Sequence, residues 1–214
     1  MQSLRITEVF HSLQGESRSV GLPTAFIRLT GCPLRCQYCD TAYAFHGGEQ
    51  MGLTDILRAT RQRKVDHVTV TGGEPLAQPN AIILLQLLCD DGYQVSLETS
   101  GAMDVSDVDP RVSVVLDLKT PGSKEVSRNL YSNIALLKPI DQVKFVICDR
   151  NDYDWARFKV SEYNLLGLVD EVLFSASHEQ LSSTQLADWI LEDELQVRLQ
   201  VQLHKLLWGD KPGV

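Results

Sequence analysis

Positive charge is in short supply in this chain. Twenty lysines and arginines face 28 aspartates and glutamates, for a net charge of −8. A broad nucleic-acid-binding face would need the opposite balance. No apolar run is long enough to span a membrane. No signal or transit peptide is recognisable at the start, so the expected setting is cytoplasmic. Cysteine is sparse, with five in 214 residues and no paired framework, which excludes a disulfide scaffold and suits a reducing compartment. Low-complexity segments and linkers are missing. So is a G-x-G-x-x-G fingerprint after the first strand pattern, which argues against a dinucleotide-binding fold. What remains is ordinary globular composition, 43% hydrophobic and 22% charged, and a single domain over residues 1–214.

Within that domain the recurring pattern is strand then helix. Strand patterns occupy 24–30, 67–71, 93–99, 112–118, 142–148, 171–175 and 196–203. Helical patterns occupy 53–64, 80–91, a short stretch near 128–137, 152–164 and 183–194, with Thr54, Asn151 and Ser183 as expected caps and Gly92 as a stop. Strands rich in Val, Ile and Leu alternating with helices predict a parallel α/β sheet. A full eightfold barrel takes about 250 residues, so an incomplete, TIM-like β/α barrel of about six parallel strands is expected. In such folds ligands bind at the carboxyl ends of the strands.

Three of the five cysteines fall together. Cys32, Cys36 and Cys39 follow the first of these strands with the spacing C-x3-C-x2-C. A structural zinc site usually pairs two knuckles of four ligands; here the nearest further ligand is His46 and no second C-x2-C exists. A [4Fe–4S] cube fits better, because three cysteines leave one iron open to a small molecule. Cys89 and Cys148 sit in apolar patterns and read as small buried hydrophobes.

The other strand ends are polar. They carry Thr71-Gly72-Gly73-Glu74-Pro75, Glu98-Thr99-Ser100-Gly101, Asp117-Leu118-Lys119, Lys144 and Ser175-Ala176-Ser177-His178. Gly72 and Gly73 permit close backbone approach, and Glu74 is acidic, as an ammonium group requires. Ser100, Asp117 and Ser175 suit a ribose, Lys119 a carboxylate, and Tyr38 can stack on a purine. Thr41, read on its own, is a helix cap. His204 alone reads as structural.

C-x3-C-x2-C on the exit of the first barrel strand, with Gly-Gly-Glu-Pro after the second, resembles the radical S-adenosylmethionine (SAM) superfamily over roughly residues 24–178. The run Glu8-Val9-Phe10-His11-Ser12-Leu13-Gln14-Gly15-Glu16, then Phe26-Ile27-Arg28-Leu29, Cys39-Asp40-Thr41, Glu98-Thr99-Ser100-Gly101 and Val201-Gln202-Leu203-His204-Lys205 resemble the 7-carboxy-7-deazaguanine synthase family across nearly the whole chain. The resemblance implies a radical ring contraction of 6-carboxy-5,6,7,8-tetrahydropterin, with a [4Fe–4S] cluster, SAM and Mg²⁺. It implies Cys32, Cys36 and Cys39 as cluster ligands. Tyr38, Gly73, Glu74, Ser100, Asp117, Lys119 and Ser175 are then SAM contacts. Leu13, Gln14, Gly15, Glu16, Arg28, Thr71 and His204 are substrate contacts, and Thr41 is the Mg²⁺ ligand. The N- and C-terminal segments cap the substrate, and in some members the chain end does so too, which points to Val214. A homodimer and a low-potential electron donor such as flavodoxin or ferredoxin are further implications. The alternatives are another radical SAM enzyme, such as a glycyl-radical activating enzyme, or a zinc-binding module without catalysis.

Overall fold

A computed structural model describes residues 2–178, 180–209, 211 and 213; Val214 lies outside the described residues. The elements run β1 (Ser3–Leu13), β2 (Pro23–Leu29), β3 (Glu49–Gly52), α1 (Leu53–Arg61), β4 (His67–Gly72), α2 (Asn80–Asp90), β5 (Gln94–Thr99), β6 (Ser113–Asp117), β7 (Gln142–Ile147), α3 (Arg150–Glu162), α4 (Leu165–Leu168), β8 (Glu171–Ala176), α5 (Ser183–Glu192), β9 (Arg198–Gln200) and α6 (Leu203–Trp208). They form one sheet in the order β3-β1-β2-β4-β5-β6-β7-β8-β9. From β2 to β9 every neighbouring pair is parallel, while β1 runs antiparallel to both β2 and β3. The sheet is the incomplete barrel expected, with a seventh parallel strand, β9, of only three residues.

Alternation along the strands separates two environments. One face carries Val68 and Val70, Val95 and Leu97, Val114 and Leu116, Val143 and Phe145, and Val172 and Phe174, all in the core beneath the helices. Leu84, Leu85 and Leu88 of α2, Tyr153, Ala156 and Val160 of α3, and Leu186 and Ile190 of α5 complete that layer. The other face carries Thr69 and Thr71, Glu98, Asp117, Lys144 and Ser175, which line a cavity.

The segment after β1 closes part of this inner face. Gln14 Nε2 donates to Thr69 Oγ1 at 3.0 Å. The backbone amides of Ser17 and Arg18 donate to the side-chain carbonyls of Gln200 and Gln142 at 2.6 and 2.7 Å. The Gln142 and Gln200 side chains thus satisfy backbone groups that a buried loop would otherwise leave unpaired.

Several local expectations are corrected. β1 and β3 are strands where none was expected. The stretch near 128–137 forms 3₁₀ turns, Val126–Arg128 and Tyr131–Leu136. Helix α3 starts at Arg150 because the Asp149 carboxylate accepts from the Asp152 amide, and α5 is capped by Ser182 rather than Ser183. Gly52, not Thr54, stands at the cap of α1. The strand expected over 196–203 is cut to Arg198–Gln200, since the Leu203 amide bonds to Gly15 O at 2.9 Å and the chain turns into α6.

Candidate active site

The cavity, about 270 Å³, opens at the carboxyl ends of the parallel strands and is lined by residues from every one of the seven except β9. Cys32, Cys36 and Cys39 stand on its wall. Their loop is held from three sides. Gly31 N bonds to Ala44 O at 2.8 Å, Glu74 N to Gly31 O at 2.9 Å, and Gln37 N to Ser123 O at 3.2 Å. Arg35 folds back on the carbonyls of Cys32 and Leu34 at 2.7 and 2.6 Å and lies over the Phe45 ring. The glycine pair after β4 makes this closeness possible. A Cβ at Gly73 would meet Gly31 O at 2.2 Å and Cys32 Cβ at 2.7 Å.

Burial raises the pKa of all three thiols, Cys36 up to about 11, and the cysteines oppose one another's ionisation. Among the described residues, no three His, Cys, Asp or Glu side chains form a site for a single metal ion. A cube binds each thiolate through a different iron, so its ligands stand farther apart than those of a mononuclear zinc site. The donor set fits the cluster.

Beside the cysteines, two buried polar atoms have no protein partner: the Tyr38 hydroxyl and Asp117 Oδ1. The other Asp117 oxygen pairs with Lys119 Nζ at 2.9 Å. Lys119 Nζ lies 6.0 Å from the centre of the Tyr38 ring. An orphaned carboxylate oxygen next to an aromatic face fits a ribose and a purine. Ser175 is buried and also lines this end.

Glu74 departs from the expectation. Its carboxylate is fully buried and absent from the cavity wall. It accepts from Leu76 N at 3.0 Å, Thr99 Oγ1 at 3.0 Å, Ser100 N at 2.7 Å and Ser100 Oγ at 2.5 Å. The side chain therefore joins the turn after β4 to the turn after β5, and Ser100 spends its hydroxyl proton on it.

The opposite end of the cavity is built on the segment after β1. Leu13, Gln14, Gly15, Glu16, Arg28, Thr71 and His204 all line it. Gln14 uses its side chain internally: its amide goes to Thr69 and its carbonyl accepts from the Glu16 amide at 3.2 Å. Glu16 pairs with Lys144 Nζ at 2.5 Å and accepts from Gln202 Nε2 at 2.9 Å. Arg28 bonds through Nε to Glu8 at 2.7 Å, a carboxylate that also accepts from Tyr43 at 2.8 Å. Its guanidinium lies 5.5 Å from the Phe10 ring centre, and Phe10 stacks on Phe26 at 4.8 Å. Thr41 occupies the cap position of a 3₁₀ turn, Ala42–Phe45, yet makes no capping bond. Its hydroxyl donates to Asp40 Oδ1 at 2.8 Å, placing two hard oxygen donors at the cavity mouth, as Mg²⁺ prefers. Burial keeps the His204 pKa below its ordinary value, against the pull of Glu16 and Asp40.

Between the two ends lies a residue the sequence reading left without a role, Glu98. It faces Lys144, Glu16, Asp117 and Lys119, and burial raises its pKa to about 7. The signal was its inward position in β5, two residues from Ser96, which joins the Thr69 hydrogen-bond chain at 2.8 Å.

An open parallel barrel with three cysteines on its rim and a glycine pair packed against them defines a radical SAM protein, and a Radical SAM superfamily model matches residues 26–120. The 7-carboxy-7-deazaguanine synthase of Chlorobaculum tepidum is 41% identical, covering 99% of this chain and 97% of its own length. That of Koribacter versatilis is 39% identical, covering 96% and 97%. The crystal structure of QueE from Escherichia coli shares the fold, with a TM-score of 0.71 over 94% of this chain and 95% of that one at 24% identity. The chain belongs to the 7-carboxy-7-deazaguanine synthase family. It is a radical SAM enzyme whose cofactors are a [4Fe–4S] cluster, SAM and Mg²⁺.

Proposed function

We propose that this cavity converts 6-carboxy-5,6,7,8-tetrahydropterin to 7-carboxy-7-deazaguanine with loss of ammonia, a lyase step toward queuosine and related 7-deazapurines. The observation that carries the reading is the joining of two half-sites in one cavity. When bound, the cluster and SAM supply a radical that takes a hydrogen from the substrate and returns it. The chain's own residues do the rest. Cys32, Cys36 and Cys39 hold the cluster, and Tyr38, Gly73, Ser100, Asp117, Lys119 and Ser175 hold SAM. Glu74 acts indirectly, by fixing Ser100.

At the other end, Glu16 accepts from the amino and ring N–H groups of the pterin, framed by Leu13, Gln14 and Gly15. Arg28 takes the substrate carboxylate; its partner Glu8 holds Nε. Thr41, with Asp40 beside it, would hold the Mg²⁺, which would supply positive charge for the substrate carboxylate. Thr71 and His204 complete the wall, and a largely neutral His204 imidazole suits proton exchange near neutral pH. The core, residues 24–178, supplies the radical machinery, while the flanking segments close over substrate and exclude water.

A low-potential electron donor such as flavodoxin or ferredoxin completes the scheme, in a cytoplasmic setting; no helix among the described residues is long and apolar enough to cross a membrane. A homodimer is supported by the open β9 edge, with exposed Leu199, Val201, Leu206 and Leu207 beside it, and is read by light scattering. The decisive assay is anaerobic. Reconstituted protein, SAM, Mg²⁺, a low-potential reductant and 6-carboxytetrahydropterin should yield 7-carboxy-7-deazaguanine without depleting SAM. Slow 5′-deoxyadenosine release with no deazapurine would defeat the substrate assignment.

A further inference from the structure

The C-terminal helix α6 has no buried residue of its own. Leu206 and Leu207 are exposed, so hydrophobic burial does not hold it down. Residues at and just before its start attach it to the cavity. The Leu203 amide donates to Gly15 O at 2.9 Å. The His204 imidazole packs so closely on Gly15 that a Cβ there would lie 2.0 Å from Nδ1. Gln202 Nε2 donates to Glu16 Oε1 at 2.9 Å and to Asp40 Oδ2 at 3.3 Å.

Gln202 therefore sits between two carboxylates from two different parts of the site. Glu16 belongs to the segment after β1; Asp40 neighbours the last cysteine and Thr41. Among the described residues each carboxylate oxygen of Glu16 has one partner: Lys144 of β7 on Oε2 and Gln202 on Oε1. A carboxylate oxygen has two acceptor directions, so these two partners decide which directions remain for a substrate. Lys144 is buried in a strand and fixed. Gln202 is carried by the tail.

We propose that Gln202 is a positioning residue for substrate recognition: it sets the orientation of the Glu16 carboxylate and ties the docking of α6 to occupancy of the cavity. This rests on the reading of Glu16 as the group that faces the pterin ring. A substrate bonded to Glu16 lowers the mobility of that carboxylate, which strengthens the Gln202 contact and holds α6 down; an empty cavity lets both relax. Gln202 stands on the cavity wall with its amide spent on Glu16 and Asp40, so its loss weakens binding more than turnover.

The test uses the reconstituted holoenzyme. Gln202→Ala should raise KM for 6-carboxytetrahydropterin roughly tenfold or more, as expected for losing a hydrogen bond to a charged group, with kcat changed less than about threefold and KM for SAM unchanged. Gln202→Glu, which places a third carboxylate between Glu16 and Asp40, should raise KM further. Hydrogen exchange gives the second readout. In the unaltered enzyme, added pterin should slow exchange in the peptide spanning 203–208, and in Gln202→Ala that slowing should vanish. An unchanged pterin KM, a parallel loss in kcat and SAM affinity, or substrate protection of 203–208 that survives in Gln202→Ala would each overturn the proposal. Failure of the unaltered enzyme to turn over any pterin would instead overturn the substrate reading beneath it.

Discussion

Glu98→Gln should stabilise the protein, by an amount that grows as pH rises from about 4.3 and levels off above about pH 7. Burial, the largest influence on Glu98, raises its pKa from 4.5 to about 7; Lys144 and Lys119 pull it down, Glu16 and Asp117 push it up. In the unfolded chain the same carboxyl titrates near 4.3. Between those two values the unfolded state gives up a proton that the folded state keeps, so stability falls as pH rises through the window and the loss is complete above pH 7. At about 1.4 kcal/mol per pKa unit, the cost of the ionised folded form is on the order of 3–4 kcal/mol. Glutamine has nearly the shape of the protonated acid and never ionises. For a chain of this size each kcal/mol moves the melting temperature by about 2–4 °C. The expected gain is thus on the order of 10 °C at pH 8, shrinking to a few °C at pH 5 and to nearly nothing below about pH 4. Anaerobic calorimetry of both proteins at matched iron content, at pH 5, 6, 7 and 8, measures it. A difference independent of pH, or a variant less stable at pH 8, would refute the reasoning.

Three further perturbations separate the roles around the rim. Gly73→Ala drives a methyl into Gly31 O and Cys32 Cβ, so reconstituted iron content and visible absorbance should fall by more than half while far-ultraviolet circular dichroism holds. Glu74→Ala strands the donors of Leu76, Thr99 and Ser100 in a fully buried position; unfolding should become easier by about 3 kcal/mol, read as a melting shift, with weaker SAM binding. Thr41→Val keeps the shape of the side chain and removes the hydroxyl. The Mg²⁺ concentration giving half-maximal deazapurine formation should rise about tenfold, the equivalent of about 1.4 kcal/mol, with 5′-deoxyadenosine release retained; an unchanged Mg²⁺ dependence would remove Thr41 from the metal.

The parallel barrel was legible because its two signals are local. Apolar alternation marks the strand faces that meet helices, as in Val68 and Val70 or Val143 and Phe145, and the cysteine spacing marks the rim. β1 was not, because its residues alternate without a buried run: Val9, Phe10 and His11 are only partly covered or exposed, and its role depends on pairing with β2. The break of the last strand at Gln200 was equally hidden, since it follows from a bond between residues 15 and 203. The same holds within the site. Spacing located the cysteines and strand alternation turns Glu98 toward the cavity, but no local pattern says that Glu74, beyond the end of β4, turns away from it. Packing at Thr99 and Ser100 decides that.

The cavity's charges are arranged in pairs that belong to its two halves. Asp117 pairs with Lys119 at the cluster end, Glu16 with Lys144 and Arg28 with Glu8 at the other. Buried pairs of this kind contribute little net stability, because desolvation offsets much of their attraction. Their value is geometric. Each fixes one oxygen or nitrogen of a group whose remaining directions face the cavity: Asp117 Oδ1 has no hydrogen-bond partner among the described residues, and Arg28 bonds to Glu8 through Nε. A site preorganised in this way offers donors and acceptors at set positions before anything binds, which reduces the reorganisation left to the reaction itself. Glu98, placed between the pairs, is the exception. It takes its proton state from both halves at once, through Lys144 and Glu16 on one side and Asp117 and Lys119 on the other. A ligand that alters the charge at either end should therefore change the protonation of Glu98, which makes that carboxyl the natural reporter of how full the cavity is.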